Sequence, residues 1–248
     1  MRDAYYKRDL ALVHHLGFGF HADICAPGIL ELLEPVREGN GLVLELGCGS
    51  GLLTKYLVDA GHRVIATDAS PAMLELAKEH APGAEDIRLL TMPDDPMPEA
   101  EAIVSIGHAI NYLDTEEEIE RALIHIAHAA SLFALDICDL EWGEHRKDQP
   151  NFSRAGDDWR LITRFSLPAP NKYVRDMTTF VRNDDGTWRR DDERHENILV
   201  DTSRIPALLV EHGVDAAIKP AFGSEELPIG LKVVIGRRRW IPCTLGRS

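Results

Sequence analysis

The chain has 248 residues, 44% hydrophobic and 27% charged, a composition typical of one large globular domain or of a domain with a sizeable insertion. Its net charge of −14 argues against nucleic acid as a partner, because an acidic surface repels phosphate backbones. The chain has no apolar run of about 18 residues or more, and its N-terminus lacks an apolar signal-peptide core, so we expect a cytoplasmic protein without a membrane span.

Residues 1–40 are predicted to form an N-terminal helical segment. An apolar face made by Leu10, Val13 and Leu16 predicts a first helix that ends at Gly17. A second helix is expected to begin near Pro27, because proline is favoured at the first position of a helix.

Residues 41–140 alternate between short apolar runs and amphipathic segments. Helices are predicted after the glycine at 51, after the N-cap residue Ser70, and over residues 115–130. The apolar runs predict strands at residues 42–46, 63–67, 87–91, 102–106 and 132–137. This alternation predicts a doubly wound α/β domain, in which helices cover both faces of a mostly parallel sheet.

The alternation stops near residue 140. Strand-like runs at 159–165, 172–181 and 187–200 follow with no long helix between them, and the turn 183–186 is a good hairpin signal. Residues 141–200 are therefore predicted to form an antiparallel β insertion that acts as a lid. A further helix and strands at 216–219 and 231–235 return to the main sheet, so the predicted core comprises residues 41–140 and 201–240.

The motif that carries the chemistry is Glu45-Leu46-Gly47-Cys48-Gly49-Ser50-Gly51, between the first strand and the next helix. Its glycines allow a tight turn and let a ligand approach the backbone, while the helix N-terminus presents free N–H groups. Asp68 ends the second strand, where a carboxylate can accept hydrogen bonds from two ribose hydroxyls. Together these features predict an adenosine-containing ligand at the carboxyl ends of the strands.

Two observations favour S-adenosylmethionine over a nicotinamide dinucleotide. The dinucleotide fingerprint GxGxxG needs a third glycine where Leu52 stands. Glu45 would repel a pyrophosphate, whereas it would attract the positively charged amine of a methionyl group.

The pattern Glu45-x-Gly47-x-Gly49-x-Gly51 with Asp68 resembles motifs I and II of the class I S-adenosylmethionine-dependent methyltransferases. The resemblance covers about residues 40–137 and the last strands. It implies a seven-stranded, mostly parallel, Rossmann-like sheet in the order 3-2-1-4-5-7-6, with the seventh strand antiparallel. The cofactor contacts that it implies are Glu45, Gly47, Cys48, Gly49, Gly51, Asp68 and Ala69.

The resemblance also bears on adenine and on the methyl acceptor. In the family an acidic residue after the third strand often meets the adenine amine, a role that would fall to Asp94 or Asp95. The fourth strand ends without an Asn-Pro-Pro-Tyr type sequence, which argues against methylation of adenine or glutamine nitrogen. The insertion resembles that of small-molecule N-methyltransferases such as the dimethylating amino-sugar enzymes.

No metal is predicted. The cysteines show neither a CxxC pair nor CxxH spacing, which argues against a zinc site or a disulfide framework and favours reduced thiols. The fourth strand also lacks the terminal aspartate that a magnesium-dependent catechol enzyme would need. Asp136 and Asp139 stay open as alternative metal ligands.

Three residues are predicted to serve the acceptor. His108 follows the fourth strand, at the sheet edge where substrates bind, and Tyr112 lies just beyond it. His195 lies on the insertion, where alternation places it on one face with Glu193 and Asn197, a face that is either solvent or the roof of the site. We expect His108 or His195 to receive the acceptor's proton, with Tyr112 as a positioning group.

Other aromatic and histidine side chains have two open interpretations. Tyr5, Tyr6, His14 and His15 either close over the cofactor or form an ordinary helix face. Trp142, after the fifth strand, is a candidate pocket wall.

The sequence thus predicts direct methyl transfer from S-adenosylmethionine to a nitrogen or oxygen of a small molecule. Two alternatives stay open. One is different chemistry with the same cofactor, which a base-free apolar pocket would favour. The other is a non-catalytic S-adenosylmethionine-binding regulatory or scaffold protein, which a large apolar patch without an open pocket would favour. The oligomeric state is left undetermined.

Overall fold

The computed structural model describes residues 5–147 and 151–239; Cys243 lies outside these ranges. Helices α1 (Arg8–Gly17) and α2 (Phe20–Glu38) open the described chain. No single helix in the described ranges is long and apolar enough to cross a membrane, and α1 and α2 meet that requirement only as a pair bent by 65°.

The second helix begins earlier than the sequence predicts. Pro27 lies inside α2 and does not open it, so that prediction is wrong. Apolar residues on both sides of the proline, among them Ala22, Cys25 and Ile29, are buried in one hydrophobic cluster. We attribute the continuous helix to this packing, which offsets the backbone hydrogen bond that proline cannot donate.

Eleven strands within the described ranges form two sheets. The strands are β1 (Leu42–Leu46), β2 (Arg63–Asp68), β3 (Asp86–Leu89), β4 (Ala100–Ser105), β5 (Ala130–Cys138), β6 (Asn151–Ala155), β7 (Trp159–Ala169), β8 (Lys172–Arg182), β9 (Trp188–Ile198), β10 (Val214–Lys219) and β11 (Leu231–Arg238). The remaining α-helices are α3 (Leu52–Asp59), α4 (Pro71–His80), α5 (Glu116–Ala129), α6 (Leu140–Arg146) and α7 (Ile205–Val210).

The main sheet has the order β10-β11-β5-β4-β1-β2-β3. Strands β1 to β5 pair in parallel, whereas β11 runs antiparallel to both β5 and β10. The predicted fold is confirmed, including the strand order 3-2-1-4-5-7-6 and the antiparallel seventh strand. The carboxyl ends of β1, β2 and β4 therefore lie side by side at one edge of the sheet.

Neighbouring residues of β1 enter the hydrophobic clusters on opposite faces of the sheet. Val43 belongs to the cluster that includes Ile29 of α2, and Leu44 to the cluster that includes Leu123 of α5. Because helices cover both faces, a strand in the middle must be apolar on both sides. This explains why β1 reads as a continuous apolar run, broken only by Glu45.

The second sheet is the insertion, and it is fully antiparallel in the order β6-β7-β8-β9. Three of its strands were predicted and β6 was not. All five residues of β6 are exposed, so the strand has no buried face to leave an apolar pattern in the sequence. The insertion packs on α1 through a cluster that contains Leu10, Val13, Trp159 and Met177.

Candidate active site

The loop between β1 and α3 depends on its glycines. Gly47, Gly49 and Gly51 all have positive φ, at 67°, 54° and 79°. A Cβ at Gly47 would also lie 2.5 Å from the Cβ of Ala109. At Gly47 a larger side chain is therefore disfavoured by the backbone conformation and excluded by the lack of space.

Two hydrogen bonds attach this loop to the end of β2. The backbone N–H of Cys48 donates to the Thr67 carbonyl oxygen at 2.8 Å. The N–H of Gly49 donates to Asp68 Oδ2 at 2.8 Å, while Asp68 Oδ1 accepts from the N–H of Ser70, also at 2.8 Å. Burial raises the pKa of Asp68, and these backbone donors oppose the shift. The structure therefore brings Asp68 against the glycine loop, with the exposed residue Ala69 beside it.

Glu45 lies beneath the loop with a carboxylate that has no cationic partner. The residue is 1% exposed, and Oε2 accepts a hydrogen bond from Thr54 Oγ1 at 2.7 Å. Burial raises the pKa of Glu45 to about 8. In the described part of the chain no lysine, arginine or histidine forms an ion pair with it. The positively charged amine of the predicted cofactor fits this environment, because it would supply the missing charge.

A cavity of about 330 Å³ extends from the glycine loop to the insertion. Glu45 and Gly49 line it on the sheet side, and Phe18 lines it on the helical side. Leu161 and Tyr173 of the insertion line the opposite wall. Elements that are far apart in the sequence thus enclose one mainly apolar space next to the predicted cofactor loop.

His108 lies at this cavity, as expected. Its backbone has φ 50°, and its N–H donates to Asp136 Oδ1 at 2.5 Å. Its ring stacks on Tyr112 with a centroid distance of 5.8 Å. Burial lowers the pKa of His108 to about 3, so the imidazole is neutral at physiological pH.

His195 lies outside the cavity lining. It is fully buried, its ring packs 4.5 Å from that of Tyr5 and 4.8 Å from that of Tyr6, and its Nε2 lies 2.9 Å from Glu193 Oε2. Burial lowers the pKa of His195 to about 4. This placement does not support direct contact between His195 and a substrate, because aromatic rings surround the imidazole.

Tyr112 does not line the cavity either, but it contacts two residues that do. Its hydroxyl lies 2.8 Å from the Tyr6 hydroxyl and accepts a hydrogen bond from Nη2 of Arg175. Tyr6 and Arg175 line the cavity themselves. Arg175 is a cavity residue that the sequence analysis missed, since an arginine on a strand is ordinarily exposed.

The structure does not bring Asp94 to the cavity. Its side chain is 78% exposed and forms an ion pair with Arg121 at 3.4 Å. Asp95 Oδ2 accepts from the backbone N–H of Thr91 at 2.7 Å. Contact of either carboxylate with adenine stays a prediction.

The remaining candidates lie at the cavity, at the glycine loop or at the start of α6. Trp142 and His14 line the cavity together with Tyr6, while His15 Nδ1 lies 2.9 Å from Ser50 Oγ of the glycine loop. Asp139 caps α6 through the N–H of Glu141 and also accepts from the Thr202 side chain. Among the described residues no group of three or more potential metal ligands is close enough together to hold an ion.

A histidine–carboxylate pair also lies at the cavity and was not predicted from the sequence. His21 Nε2 lies 2.7 Å from Asp136 Oδ2, and Asp136 is fully buried. Burial acts to lower the pKa of His21, but the hydrogen bond and charge of Asp136 outweigh it and raise the pKa above the ordinary value. The two residues are 115 positions apart, so no local spacing could reveal the pair. The only signal was an aspartate within the apolar run of β5.

Comparison with known proteins agrees with this geometry. Residues 43–131 match the family described as a methyltransferase domain. A protein of Geobacillus sp. (strain WCH70) that is named as a methyltransferase is 26% identical over 208 residues, which cover 80% of this chain and 83% of that protein. A sugar N-methyltransferase from Streptoalloteichus sp. superposes with a TM-score of 0.73 at 16% identity, covering 97% of each chain.

Two further matches differ in what they act on. An amino pentose methyltransferase from Micromonospora echinaspora, solved with S-adenosylmethionine bound, has a TM-score of 0.67 at 16% identity and covers 96% of this chain and 100% of its own. An 18S rRNA (guanine-N(7))-methyltransferase from Schizosaccharomyces pombe is 41% identical over 63 residues, which are 25% of this chain and 23% of that protein.

The fold, the glycine loop and these matches define the class. Residues 43–131 match a methyltransferase domain, and the chain has the fold of an S-adenosylmethionine-dependent methyltransferase. It is an enzyme with S-adenosylmethionine as its cofactor, as the sequence predicted. The individual cofactor contacts assigned to Glu45, the loop glycines, Cys48, Asp68 and Ala69 stay predictions.

Proposed function

We propose that the enzyme transfers a methyl group from S-adenosylmethionine to a nitrogen or oxygen of a small molecule. The observation that carries this proposal is the single cavity that joins the glycine loop to the insertion. Its volume of about 330 Å³ is near the lower end of the range for ligand pockets, about 300–1,000 Å³. The likeness of the whole chain to a sugar N-methyltransferase and an amino pentose methyltransferase supports the same conclusion.

In this proposal the chain contributes mainly binding and positioning. Glu45 binds the methionyl amine of the cofactor and Asp68 its ribose hydroxyls. The bound cofactor supplies a methyl group on a positively charged sulfur, which needs no further activation. The apolar walls formed by Phe18, Leu161 and Met177 exclude water and hold the acceptor in line with that methyl group.

We propose His21 as the group that receives a proton from a hydroxyl acceptor. Its Nε2 is bound to Asp136, which leaves Nδ1, 4.0 Å from the Cys25 sulfur, as the nitrogen that can accept a proton. This role was assigned to His108 or His195 from the sequence. His21 is better placed, because it lines the cavity and has an orienting carboxylate, whereas His108 has a low pKa and His195 is enclosed. A neutral amine acceptor would not need the base before attack.

The alternatives are less well supported. An open cavity next to the cofactor loop favours catalysis over a regulatory or scaffold role. A net charge of −14 and a small cavity favour a small molecule over RNA, although a segment of the chain resembles an rRNA methyltransferase. A cytoplasmic location is part of the proposal, and the three described cysteines, all buried free thiols, are consistent with a reducing compartment.

The direct test is a methyl-transfer screen with methyl-labelled S-adenosylmethionine. Small amines, amino sugars and phenols form one arm, and ribosomal and transfer RNA form the other. We expect S-adenosylhomocysteine release with at least one small molecule and no label in RNA. Label in RNA, with none in any small molecule, would contradict the proposal.

A pair of glycine variants controls the screen. Gly47→Ala should abolish turnover, because the added Cβ would lie 2.5 Å from Ala109 in a loop with positive φ. Gly213→Ala has the same kind of backbone strain, at φ 75°, but no atom within 4 Å of the added Cβ, and should retain turnover. Equal loss in both variants would show that backbone strain alone, and not the cofactor loop, caused the defect.

A further inference from the structure

Arg175 is a cation at the cavity without a carboxylate partner. Its guanidinium lines the cavity from β8, and both of its hydrogen bonds come from Nη2, to the Tyr112 hydroxyl and to Asn197 Oδ1. Its Nε is buried and has no acceptor. Across residues 5–147 and 151–239 no aspartate or glutamate forms an ion pair with it. Arginine keeps its charge in such a site, so the positive charge persists.

The lack of a carboxylate partner at Arg175 does not reflect a shortage of acidic residues in the insertion. Other arginines of the insertion pair with carboxylates: Arg182 with Asp158 at 3.4 Å, Arg189 with Asp9 at 2.7 Å and Arg194 with Asp176 at 2.8 Å. On the neighbouring strand β9, Glu193 accepts from the backbone N–H groups of Tyr6 and Lys7 and from His195. Both carboxylate oxygens of Glu193 thus already accept hydrogen bonds from groups other than Arg175.

The hydroxyl groups next to Arg175 add a second unused donor. Tyr112 and Tyr6 share one hydrogen bond of 2.8 Å between their hydroxyl oxygens. Burial raises the pKa of Tyr112 well above its ordinary value, so that hydroxyl keeps its proton. Each tyrosine has one hydroxyl proton, and one bond uses only one of the two. Tyr112 already accepts from Arg175; when it donates to Tyr6, the O–H of Tyr6, which lines the cavity, is left for a ligand.

This end of the cavity, lined by Arg175 and Tyr6 with Tyr112 behind them, therefore offers positive charge and hydrogen-bond donors but no charged acceptor. A buried guanidinium without a counter-ion is destabilising, and an entering anion would relieve that cost. Carboxylates and phosphates match the fork of a guanidinium in geometry and form charge-assisted hydrogen bonds with it.

We propose that the methyl acceptor carries an anionic oxygen group, a carboxylate or a phosphate, and that Arg175 and Tyr6 bind this group. The inference rests on the proposed function, since it takes the bound molecule to be the methyl acceptor. Tyr112 is a positioning residue here, because it holds the side chains of Arg175 and Tyr6 and does not line the cavity.

The test uses aromatic probes that suit the aromatic cavity. Binding of benzoate, phenyl phosphate and neutral benzamide is measured by calorimetry on the full chain saturated with S-adenosylhomocysteine. We expect at least one of the two anions to bind about tenfold or more tightly than benzamide, as a charge-assisted hydrogen bond should provide. The tighter of the two anions identifies the group as carboxylate or phosphate.

Three variants assign the preference to a side chain. Arg175→Met, which removes the charge but keeps an unbranched side chain, should bind the anion and benzamide equally. Arg175→Lys should retain part of the preference, because it keeps the charge but loses the planar fork. Arg164→Met is the matched control: Arg164 is exposed on the adjacent strand β7, and its loss should leave the preference intact.

Equal binding of benzamide and both anions to the unmodified enzyme would overturn the inference, as would binding of none of the probes at millimolar concentration. A preference that survives in Arg175→Met would overturn it too. Affinity for S-adenosylhomocysteine within about twofold of the unmodified enzyme shows that a variant is folded. If Arg175→Met fails this check, Tyr6→Phe replaces it and should weaken anion binding severalfold, and unchanged binding would contradict the proposal.

Different results would contradict the anion-binding proposal and the proposed function. If small molecules are methylated in the screen but the anion preference is missing, only the inference fails. If the label enters RNA alone, the proposed function fails, whatever the probes show.

Discussion

Glu45 and Asp68, the two carboxylates predicted to bind the cofactor, differ in what stabilises their charge. Asp68 accepts hydrogen bonds from the backbone N–H groups of Gly49 and Ser70, which favour the ionised form. Glu45 has one hydroxyl donor, Thr54, and burial raises its pKa to about 8. In the free enzyme Glu45 therefore carries a proton at neutral pH.

Cofactor binding should release this proton. The folded pKa of Glu45 lies above its ordinary value, so the proton is present below about pH 8; a bound ammonium group favours the carboxylate and expels it. Affinity for S-adenosylhomocysteine should thus rise between about pH 6 and pH 8. At pH 7 the calorimetric heat should vary with the ionisation enthalpy of the buffer.

Glu45→Gln should bind more weakly, with a heat that does not depend on the buffer. Glu85→Gln, at an exposed residue paired with Arg63, should behave like the unmodified enzyme. A heat that is independent of the buffer in the unmodified enzyme would show that Glu45 is already ionised.

Asp68→Ala should weaken cofactor binding about 10- to 100-fold, the effect of losing hydrogen bonds to a charged acceptor worth about 1.5–3 kcal/mol. The structure adds a second reason, because Asp68 also positions the N–H of Gly49. Titration of S-adenosylhomocysteine measures the effect, with Asp86→Ala, at a half-exposed residue of β3 that pairs with Arg88, as control. An unchanged dissociation constant would mean that other groups hold the ribose.

His21→Gln should change the pH profile of turnover more than cofactor binding. Asp136 raises the pKa of His21, and a base must be neutral, so turnover with a hydroxyl acceptor should rise with pH through a value above 6.5. The variant should lose this rise and about 10²–10⁴ in turnover. His108→Gln serves as comparison, because its low pKa predicts no such effect on the profile. An unchanged profile in His21→Gln would exclude it as the base.

At the level of residues, local patterns predicted the glycine loop between β1 and α3 but not the presence of His21 and Arg175 at the cavity. Glu45, the glycines and Asp68 are recognisable because chemistry and backbone geometry constrain neighbouring positions. His21 and Arg175 meet other site residues only through the fold, and their own surroundings in the sequence carry no pattern. His195 was predicted to face either solvent or the site, whereas the structure buries it outside the cavity lining, because alternation selects a face but not what covers that face.

At the level of elements, α1 packs on the insertion through polar and apolar contacts. Asp9 accepts two hydrogen bonds from Arg189 Nε, at 2.8 and 2.7 Å. Gly17 lets α1 approach the insertion closely, since a Cβ there would lie 2.6 Å from the ring of Trp159. Deleting the insertion would therefore expose the apolar side of α1, including Leu10. Point changes at the contact are a cleaner test.

Asp9→Asn should lower the free energy of unfolding by about 1–3 kcal/mol, because it removes the charge from hydrogen bonds to a carboxylate that is 8% exposed. Urea unfolding measures this effect. Asp158→Asn is the control, since its ion pair with Arg182 is exposed and should matter by less than about 0.5 kcal/mol. Equal effects in the two variants would show that the contact between α1 and the insertion is not specially stabilising.

The elements themselves were predictable where burial leaves a pattern. The core strands, the N-cap at Ser70 and the helix over residues 116–129 follow from apolar periodicity and capping. The start of α2 and the strand β6 could not be predicted in this way, and the two reasons differ. Packing overrides the local preference of Pro27, and the exposed strand β6 has no buried side to leave a signal.

At the level of the whole molecule, cofactor binding should stabilise the fold. At a ligand concentration of 100 times the dissociation constant, the expected gain is about 2.7 kcal/mol. For a chain of this size that corresponds to a rise of about 5–10 °C in Tm. Thermal unfolding with S-adenosylhomocysteine should show this rise, and NAD at the same concentration should show none. A comparable rise with NAD would contradict the cofactor assignment.

The position of β11 in the sheet affects how the chain can fold while it is synthesised on the ribosome. Strand β5 pairs with β4 along one edge. Its other edge pairs with β11, where Leu231 lies opposite Cys138, and it stays unpaired until β11 has been synthesised. Translation at about 5–20 residues per second needs roughly 5–20 s to make the intervening stretch of roughly ninety residues. Throughout that interval nascent β5 presents an apolar, unpaired edge, the kind of surface on which other chains associate. Chaperone dependence should therefore be greatest after β5 has emerged and before β11 has followed.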